Sequence, residues 1–230
     1  MKYGIIGAMD EEVAFLRKKI SQETEHTIAN SVFIEGTIGD KQVVLLKSGI
    51  GKVNAAMTTT ILMERFSPTV VINTGSAGGF SPSLSVGDIV ISDQVVHHDV
   101  DVTAFDYEYG QVPQLPAVFK ADESLVRQTK ETITKLDLNY KVGLLATGDS
   151  FMNNEKRVNE IKAIFPNMLA AEMEGAAIAQ VCYQYEVPFI IIRALSDIAG
   201  KHSPITFDQF LETAAKNASQ IILSLITENS

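Results

Sequence analysis

Short apolar runs alternate with amphipathic segments along most of the chain. Runs of strand length lie at residues 3–8, 69–74, 89–96, 141–146 and 189–195. Helical periodicity marks residues 13–20, 53–66, 122–136, 154–165, 175–185 and 205–226. Two β-rich runs, Ser31–Ile38 and residues 42–48, flank a Gly39-Asp40 turn, which predicts a hairpin. Strands that alternate with helices predict an α/β fold with a mixed central β-sheet flanked by helices.

Nothing in this pattern divides the chain. The sequence has no internal repeat, no low-complexity tract and no linker long enough to separate two units. Its 230 residues suit one sizeable domain with a substantial core. We therefore expect residues 1–230 to form a single domain.

Polar side chains, most of them acidic, follow the predicted strands. Glu12 comes after the first strand, and the others are Ser76, Asp149, Ser150, Glu174, Ser196 and Asp197. Open α/β folds place their chemistry at the carboxyl ends of the strands. The chain has no G-x-S-x-G elbow and no H-E-x-x-H motif. Carboxyl groups in different protonation states suit acid–base cleavage at an acetal-like carbon. This predicts a cofactor-free hydrolase or lyase but names no substrate.

Two glycine-rich stretches and a histidine pair leave alternatives open. The stretch S-G-I-G-K at residues 48–52 is either a close-packed strand-to-helix turn or an anion cradle, with Lys52 expected to cap or to be solvated. The stretch G-S-A-G-G-F at residues 75–80 either touches a ligand or only allows close packing, and it would present Ser76. His97 and His98 are neighbours on a strand and face opposite ways, so no metal site is expected.

Charge and cysteine content exclude several classes of function. The chain has 19 Lys and Arg against 28 Asp and Glu, which gives a net charge of −9. An acidic chain without a basic block is a poor ligand for nucleic acid or for an anionic membrane surface. Cys182 is the single cysteine, so no internal disulfide can form. No apolar run reaches the roughly 20 residues of a membrane span, and the acidic start does not suit a signal peptide. We expect a cytoplasmic protein.

Five motifs together resemble one known family. They are G-I-I-G-A-M-D-E-E at residues 4–12, N-T-G-S-A-G-G at 73–79, A-T-G-D-S-F at 146–151, A-E-M-E-G-A-A at 171–177 and R-A-L-S-D at 193–197. In this order they are similar to the bacterial 5′-methylthioadenosine/S-adenosylhomocysteine nucleosidases of the purine nucleoside phosphorylase-like superfamily. The resemblance implies a three-layer αβα fold, a homodimer and no cofactor or metal. It also implies hydrolysis of the N9–C1′ bond of methylthioadenosine, adenosylhomocysteine and 5′-deoxyadenosine to adenine and a 5-substituted ribose.

The resemblance also assigns roles to individual residues. Asp197 would protonate adenine N7 as the general acid, and Glu12 would deprotonate the attacking water, with Ser76 and Arg193 beside that water. These roles require Asp197 to be a carboxylic acid near neutral pH and Glu12 to be ionised. Glu174 and Met173 would contact the ribose, and the base would be bound by Phe151, Met152 and Ser196. The 5′ group would contact Met9, Ile50 and Phe207. The partner subunit would close this pocket with Val102, Phe105 and Pro113.

Two other functions fit the same scaffold. A purine nucleoside phosphorylase would use phosphate in place of water, but Asp10, Glu11 and Glu12 in the first loop would repel that anion. A non-catalytic nucleoside-binding protein would not need the acidic set of Glu12, Glu174 and Asp197. Glu172 is expected to be structural and to point away from Met173 and Glu174 along an extended segment.

Overall fold

The computed structural model describes residues 1–200 and 203–228. These residues form ten β-strands and six α-helices joined by turns and loops. The strands are β1 Lys2–Gly7, β2 Ser21–Ile28, β3 Ser31–Ile38, β4 Lys41–Lys47, β5 Val70–Gly79, β6 Ile89–His97, β7 Phe119–Lys120, β8 Tyr140–Thr147, β9 Met168–Glu172 and β10 Phe189–Ile198. The helices are α1 Asp10–Arg17, α2 Lys52–Phe66, α3 Glu123–Lys135, α4 Glu155–Ile164, α5 Gly175–Gln184 and α6 Ser203–Glu228.

All ten strands form one mixed sheet, as the sequence predicted. Its order is β10-β6-β8-β9-β5-β1-β4-β3-β2, with β7 paired to β6. β10 also pairs with β5 in parallel, so five strands close on themselves in a ring. Helix α6 packs on β10 and β5, and α2 packs on α5. The α/β fold with a mixed central sheet flanked by helices is therefore confirmed.

Three central strands of the sheet are largely apolar and buried. β1, β5 and β10 lie in the middle of the sheet, and nearly every residue of each is buried. Such strands are covered on both faces, which is why they are continuous apolar runs and do not alternate. β10 carries this burial into its polar end, where Ser196 and Asp197 are 0% and 2% exposed.

Several boundaries differ from those that the sequence predicted. β5 and β10 were expected to end at Thr74 and Leu195, but they continue to Gly79 and Ile198. The small residues after Thr74 are therefore strand, because they pair with β10 and β9. β2, β7 and β9 were not predicted from the sequence. The side chains of β2 are polar and largely exposed, and β7 and β9 have only two and five residues. The predicted hairpin is confirmed, with β3 and β4 paired across Gly39 and Asp40.

The segment between β6 and β7 was expected to be a long loop. It contains only a 3₁₀ turn at Thr103–Phe105 before β7. Phe105 in that turn is 74% exposed. Within the residues that the structure describes, no helix has the length and apolarity needed to cross a membrane.

Candidate active site

A cavity of about 380 Å³ opens where β1 ends and where β5, β9 and β10 reach their last residues. Five of its lining side chains are carboxylates, and no lysine or arginine is among the described residues that line it. The lining consists of Ala8, Met9, Glu12, Ile50, Ser76, Ala77, Gly78, Phe151, Ala171, Glu172, Met173, Glu174, Ser196, Asp197, Phe207 and Asp208. The cavity thus combines an acidic character with apolar walls.

Glu12 is buried at the start of α1 and joins that helix to β5. Its Oε2 accepts hydrogen bonds from the backbone N–H groups of Ala8 at 2.7 Å and Met9 at 3.2 Å. Its Oε1 accepts from the Ser76 backbone N–H at 3.0 Å and from Ser76 Oγ at 3.2 Å. Four donors thus hold this one carboxyl group in place. Glu12 also lines the cavity.

Asp197 reaches the same cavity through an irregularity in β10. The register of β10 with β5 shifts between Leu195 and Asp197, so Ser196 is the extra residue of a β-bulge. A bulge re-aims the side chain that follows it and is frequent beside active sites. Ser196 Oγ donates a hydrogen bond of 3.0 Å to Asp197 Oδ1. A Cβ on Gly78 would lie 3.3 Å from Asp197 Oδ2, so the strand passes close beneath the carboxyl group.

Glu174 lies just before α5, where the turn ahead of α2 meets it. Its Oε1 accepts a hydrogen bond of 2.9 Å from the Gly51 backbone N–H. Burial, followed by repulsion from Glu172, raises the pKa of Glu174 to about 8, and the charge of Arg193 opposes that rise. The next N–H, that of Lys52, donates to Asp149 Oδ1 at 2.7 Å. The backbone N–H groups of the glycine-rich turn therefore bind carboxyl groups of this protein.

Arg193 lies behind the cavity and is 1% exposed. Its Nη2 donates to Asn73 Oδ1 at 2.7 Å and forms a closer contact with Glu172. The same nitrogen is 3.5 Å from Glu174 Oε2. Arg193 does not belong to the described lining of the cavity, so any effect on a bound water is electrostatic or passes through its neighbours.

Gly75 lies between two of these charged groups, a position that the sequence did not predict. Its φ is +153°, which side chains rarely adopt. A Cβ at this position would lie 2.2 Å from Arg193 Nη1 and 2.6 Å from Glu12 Oε1. Only glycine fits between the two groups. The stretch at residues 75–80 therefore allows close packing at Gly75. Ser76 lines the cavity, and its contact with a ligand remains a prediction.

The walls away from the acids are apolar and partly open. Phe151 is 43% exposed, and its ring lies 5.8 Å from that of Phe207 in an edge-on arrangement. Ile50 is 50% exposed at another side of the cavity, near Met9. A flat base could stack on the Phe151 ring, and an apolar substituent could contact Met9 and Ile50.

Most of the predicted site residues line the cavity, and a few do not. Those that line the cavity are Met9, Glu12, Ile50, Ser76, Phe151, Met173, Glu174, Ser196, Asp197 and Phe207. Met152 lines a small extension of about 30 Å³ beside Phe151. Val102, Phe105 and Pro113 are not among the described residues that line the cavity of their own chain. They would have to reach a cavity in another subunit, which remains a prediction.

Sequence reasoning missed some of the lining, chiefly Ala77, Gly78, Glu172 and Asp208. Ala77 and Gly78 had a signal, since they follow Ser76 on a strand with no bulky side chain. Glu172 was expected to be structural, and its hydrogen bonds to the Glu174 and Gly175 backbone fit that part of the expectation. It was also expected to point away from Met173 and Glu174, which was wrong, because all three residues line one cavity. Asp208 had no signal, because it lies on an amphipathic helix far from the other acids in sequence.

Lys52 and His97, which the sequence also singled out, have partners within the protein. Lys52 Nζ forms an ion pair of 2.6 Å with Asp99, and Asp99 also accepts from the Asp149 backbone N–H at 2.9 Å. His97 Nε2 lies 3.1 Å from Gln180 Oε1, and His98 is fully buried. No group of three metal-ligating side chains occurs in residues 1–200 and 203–228.

Comparison with known proteins gives one consistent match. The family model described as the phosphorylase superfamily matches residues 2–227. A 5′-methylthioadenosine/S-adenosylhomocysteine nucleosidase of Geobacillus thermodenitrificans is 61% identical over 228 residues, which is 99% of this chain and 97% of the relative. The Bacillus subtilis nucleosidase of the same name is 57% identical over 227 residues, with 98% of each chain covered.

Solved structures agree with the sequence matches. A nucleosidase of this kind from Colwellia psychrerythraea, in complex with adenine, superposes with a TM-score of 0.95 at 52% identity and covers 98% of this chain and 94% of its own. One from Neisseria meningitidis, in complex with methylthio-immucillin-A, has a TM-score of 0.97 at 44% identity and covers 99% of each chain.

Proposed function

The chain belongs to the 5′-methylthioadenosine/S-adenosylhomocysteine nucleosidases of the phosphorylase superfamily, and we propose that it hydrolyses the N9–C1′ bond of these two substrates. The products are adenine and the corresponding 5-thioribose. The neighbour from Colwellia psychrerythraea holds adenine, which is the expected product. We extend the proposal to 5′-deoxyadenosine, because the walls near Met9 and Ile50 are apolar.

The acidic lining of the cavity is the observation that favours water over phosphate. Five acidic side chains line it, without a basic side chain among its described lining residues. A phosphate nucleophile needs cationic or backbone donors. The backbone donors at Ala8, Met9 and Ser76 already bind Glu12, and those at Gly51 and Lys52 bind Glu174 and Asp149. Water, in contrast, can donate to Glu12.

The reaction has two proton transfers, and a different acidic residue carries out each of them. Asp197, as a carboxylic acid, gives its proton to adenine N7, so the N9–C1′ bond breaks with a neutral base as the leaving group. Glu12, as a carboxylate, takes a proton from the water that attacks C1′. One proton leaves the enzyme and one returns, so the net reaction consumes one water. Each such transfer contributes roughly 10²–10⁴-fold to the rate.

The other lining residues hold the substrate. Glu174 accepts from the ribose hydroxyls and Met173 packs on the sugar, since both border the cavity that Glu12 and Asp197 also line. Phe151 stacks on adenine, the Met152 backbone contacts its edge and Ser196 holds Asp197. Met9, Ile50 and Phe207 contact the 5′ group. Arg193 and Ser76 act on the attacking water, Ser76 by direct contact and Arg193 through its charge.

We propose that the active protein is a homodimer in which Val102, Phe105 and Pro113 close the partner's 5′ pocket. Phe105 is 74% exposed, and Val53 and Met57 on α2 are 79% and 39% exposed. Val53 and Met57 are four residues apart on α2, which begins just after Ile50, so they share one face of that helix. An exposed apolar face fits an interaction surface.

The proposed compartment is the cytoplasm. Cys182 is a buried free thiol. Such a thiol suits a reducing environment. Fractionation of producing cells, with the activity recovered in the cytoplasmic fraction, is the measurement that tests this part of the proposal.

Replacement of Asp197 by Asn tests the mechanism. The change keeps the size of the side chain but removes the proton that adenine N7 would take. We expect adenine release from methylthioadenosine to fall by roughly 10²–10⁴-fold. Asp10→Asn is the matched control, because Asp10 is exposed and pairs with Lys47 outside the cavity. Adenine release by the Asp197→Asn protein at the wild-type rate would overturn the proposed mechanism.

A further inference from the structure

Glu172 is a buried carboxylate that the proposed reaction does not use. It is 7% exposed and borders the cavity at the end of β9. Its Oε2 accepts hydrogen bonds from the backbone N–H groups of Glu174 at 3.0 Å and Gly175 at 2.8 Å. The same oxygen forms the close contact with Arg193. Its Oε1 accepts from Thr147 Oγ1. Three of these contacts thus involve Glu174, the residue that follows it, or Arg193.

We propose that Glu172 is a positioning residue for the hydrolysis: it holds the Arg193 guanidinium away from Glu174, so that the Glu174 carboxyl group stays free to bind the ribose hydroxyls. The inference rests on the proposed function, because it assigns a purpose to the ribose contact of Glu174. It concerns a residue to which the proposed proton transfers give no part.

Competition for one arginine is the geometric basis of the proposal. Nη2 of Arg193 is in close contact with Glu172 but lies 3.5 Å from Glu174 Oε2. Without the negative charge of Glu172, the nearest carboxylate for that nitrogen is Glu174. A close ion pair there would use acceptor positions that the ribose hydroxyls need. Glu172 prevents this because it already neutralises the guanidinium.

Glu172 also fixes the backbone on which Glu174 is carried. It accepts from the first N–H groups of α5, and Thr147 Oγ1 accepts from the Ala176 N–H at 2.8 Å. A Cβ on Gly175 would lie 3.0 Å from Glu172 Oε1, so the chain turns closely around this side chain. A carboxylate at a helix N-terminus is favoured by the helix dipole. Glu172 thus sets both the position of the turn and the charge beside it.

The charged groups around Glu174 indicate how the arrangement responds to pH. Glu172 faces it from β9, Arg193 from β10 and Glu12 from α1. Burial and the charge of Glu172 raise the pKa of Glu174 to about 8. Removal of the Glu172 charge would take away one cause of that rise and leave Arg193 as the dominant neighbour, so the pKa of Glu174 would fall.

Glu172→Gln is a test that keeps the shape of the site. The Gln carbonyl can accept from Glu174, Gly175 and Arg193, and its amide can donate to Thr147 Oγ1, which is able to accept a second hydrogen bond. We expect the variant to fold and its KM for methylthioadenosine to rise roughly ten- to hundredfold, the range for a lost hydrogen bond to a charged group. The fall of kcat/KM on the acidic side of its pH profile should shift to lower pH, because the pKa of Glu174 falls.

Two comparisons separate positioning from simple structural support. A 2′-deoxy analogue of methylthioadenosine lacks a hydroxyl that Glu174 binds, so the wild-type protein and Glu172→Gln should differ much less on it. Glu172→Asp retains the charge and should keep the wild-type pH profile even if its shorter side chain lowers activity. A Glu172→Gln protein with an unmoved pH profile, or with an equal loss on both substrates, would overturn the proposal.

A binding measurement keeps this test separate from that of the proposed function. The Kd of methylthioadenosine for wild-type and Glu172→Gln protein can be measured by calorimetry before turnover is complete, or on the Asp197→Asn background. Weaker binding to Glu172→Gln supports the inference, and an equal Kd across the pH range contradicts it. A wild-type protein that binds the nucleoside but releases no adenine contradicts only the proposed function.

Discussion

The protonation of Glu174 predicts how the stability of the empty protein depends on pH. The ordinary pKa of a glutamate is 4.5, and burial next to Glu172 raises that of Glu174 to about 8. Between pH 4.5 and about 8, Glu174 is protonated in the folded protein but ionised in the unfolded chain. At ~1.4 kcal/mol per pKa unit, the ionised side chain lowers the free energy of unfolding by at most about 5 kcal/mol. The stabilising effect of the proton is complete below about pH 4.5 and is lost as the pH rises through about 8.

Glu174→Gln isolates this effect, because Gln cannot ionise and has a similar size. Urea unfolding of both proteins between pH 5 and 8.5, at equal protein concentration, gives the difference in the free energy of unfolding. Wild type should lose stability relative to Glu174→Gln with rising pH, by up to ~1.4 kcal/mol per pH unit. A difference that is constant, or that grows in favour of the wild type as the pH rises, would refute this reasoning.

Three further substitutions have distinct expected results. Gly75→Ala should abolish adenine release, because its Cβ would overlap Arg193 Nη1 at 2.2 Å and Glu12 Oε1 at 2.6 Å; steady-state assay of the folded variant checks this. Phe151→Leu should raise KM roughly 5- to 100-fold, the range for a lost base-stacking contact, and should change kcat less. Phe105→Ser should weaken the dimer in sedimentation, so that activity falls at low protein concentration and returns at high concentration.

The first two of these predictions have matched controls. Gly39→Ala also places a side chain at positive φ, but nothing lies within 4 Å of its Cβ, so it should remain active. Phe210→Leu changes another half-exposed phenylalanine of the chain and should keep the wild-type KM. Full activity of Gly75→Ala, an unchanged KM in Phe151→Leu, or a fully active monomeric Phe105→Ser protein would each contradict the corresponding expectation.

The parts of the fold that the sequence predicted are those where one local pattern determines the structure. Continuous apolar runs identified β1, β5 and β10, because central strands are buried on both faces. The acids at their ends could be placed together for the same reason, since neighbouring parallel strands end at one edge of the sheet. Glu12 and Asp197 were therefore predicted to lie at one site although they are far apart in sequence.

The parts that the sequence could not predict depend on contacts between distant residues. Small residues after Thr74 have weak strand propensity, and β5 continues through them only because β10 and β9 supply partners. The bulge at Ser196 arises from the register of two strands, which a single sequence does not contain. The pairing of Glu172 with Arg193 likewise became visible only in the structure, as did the close approach at Gly75.

The central claim is that water, and not phosphate, attacks C1′. The most direct test is to incubate the pure protein with methylthioadenosine, with and without phosphate, and to identify the sugar product by mass spectrometry while free adenine is measured. We expect adenine and free 5-methylthioribose at a rate that phosphate does not change. Turnover that requires phosphate and yields the sugar 1-phosphate would contradict the claim.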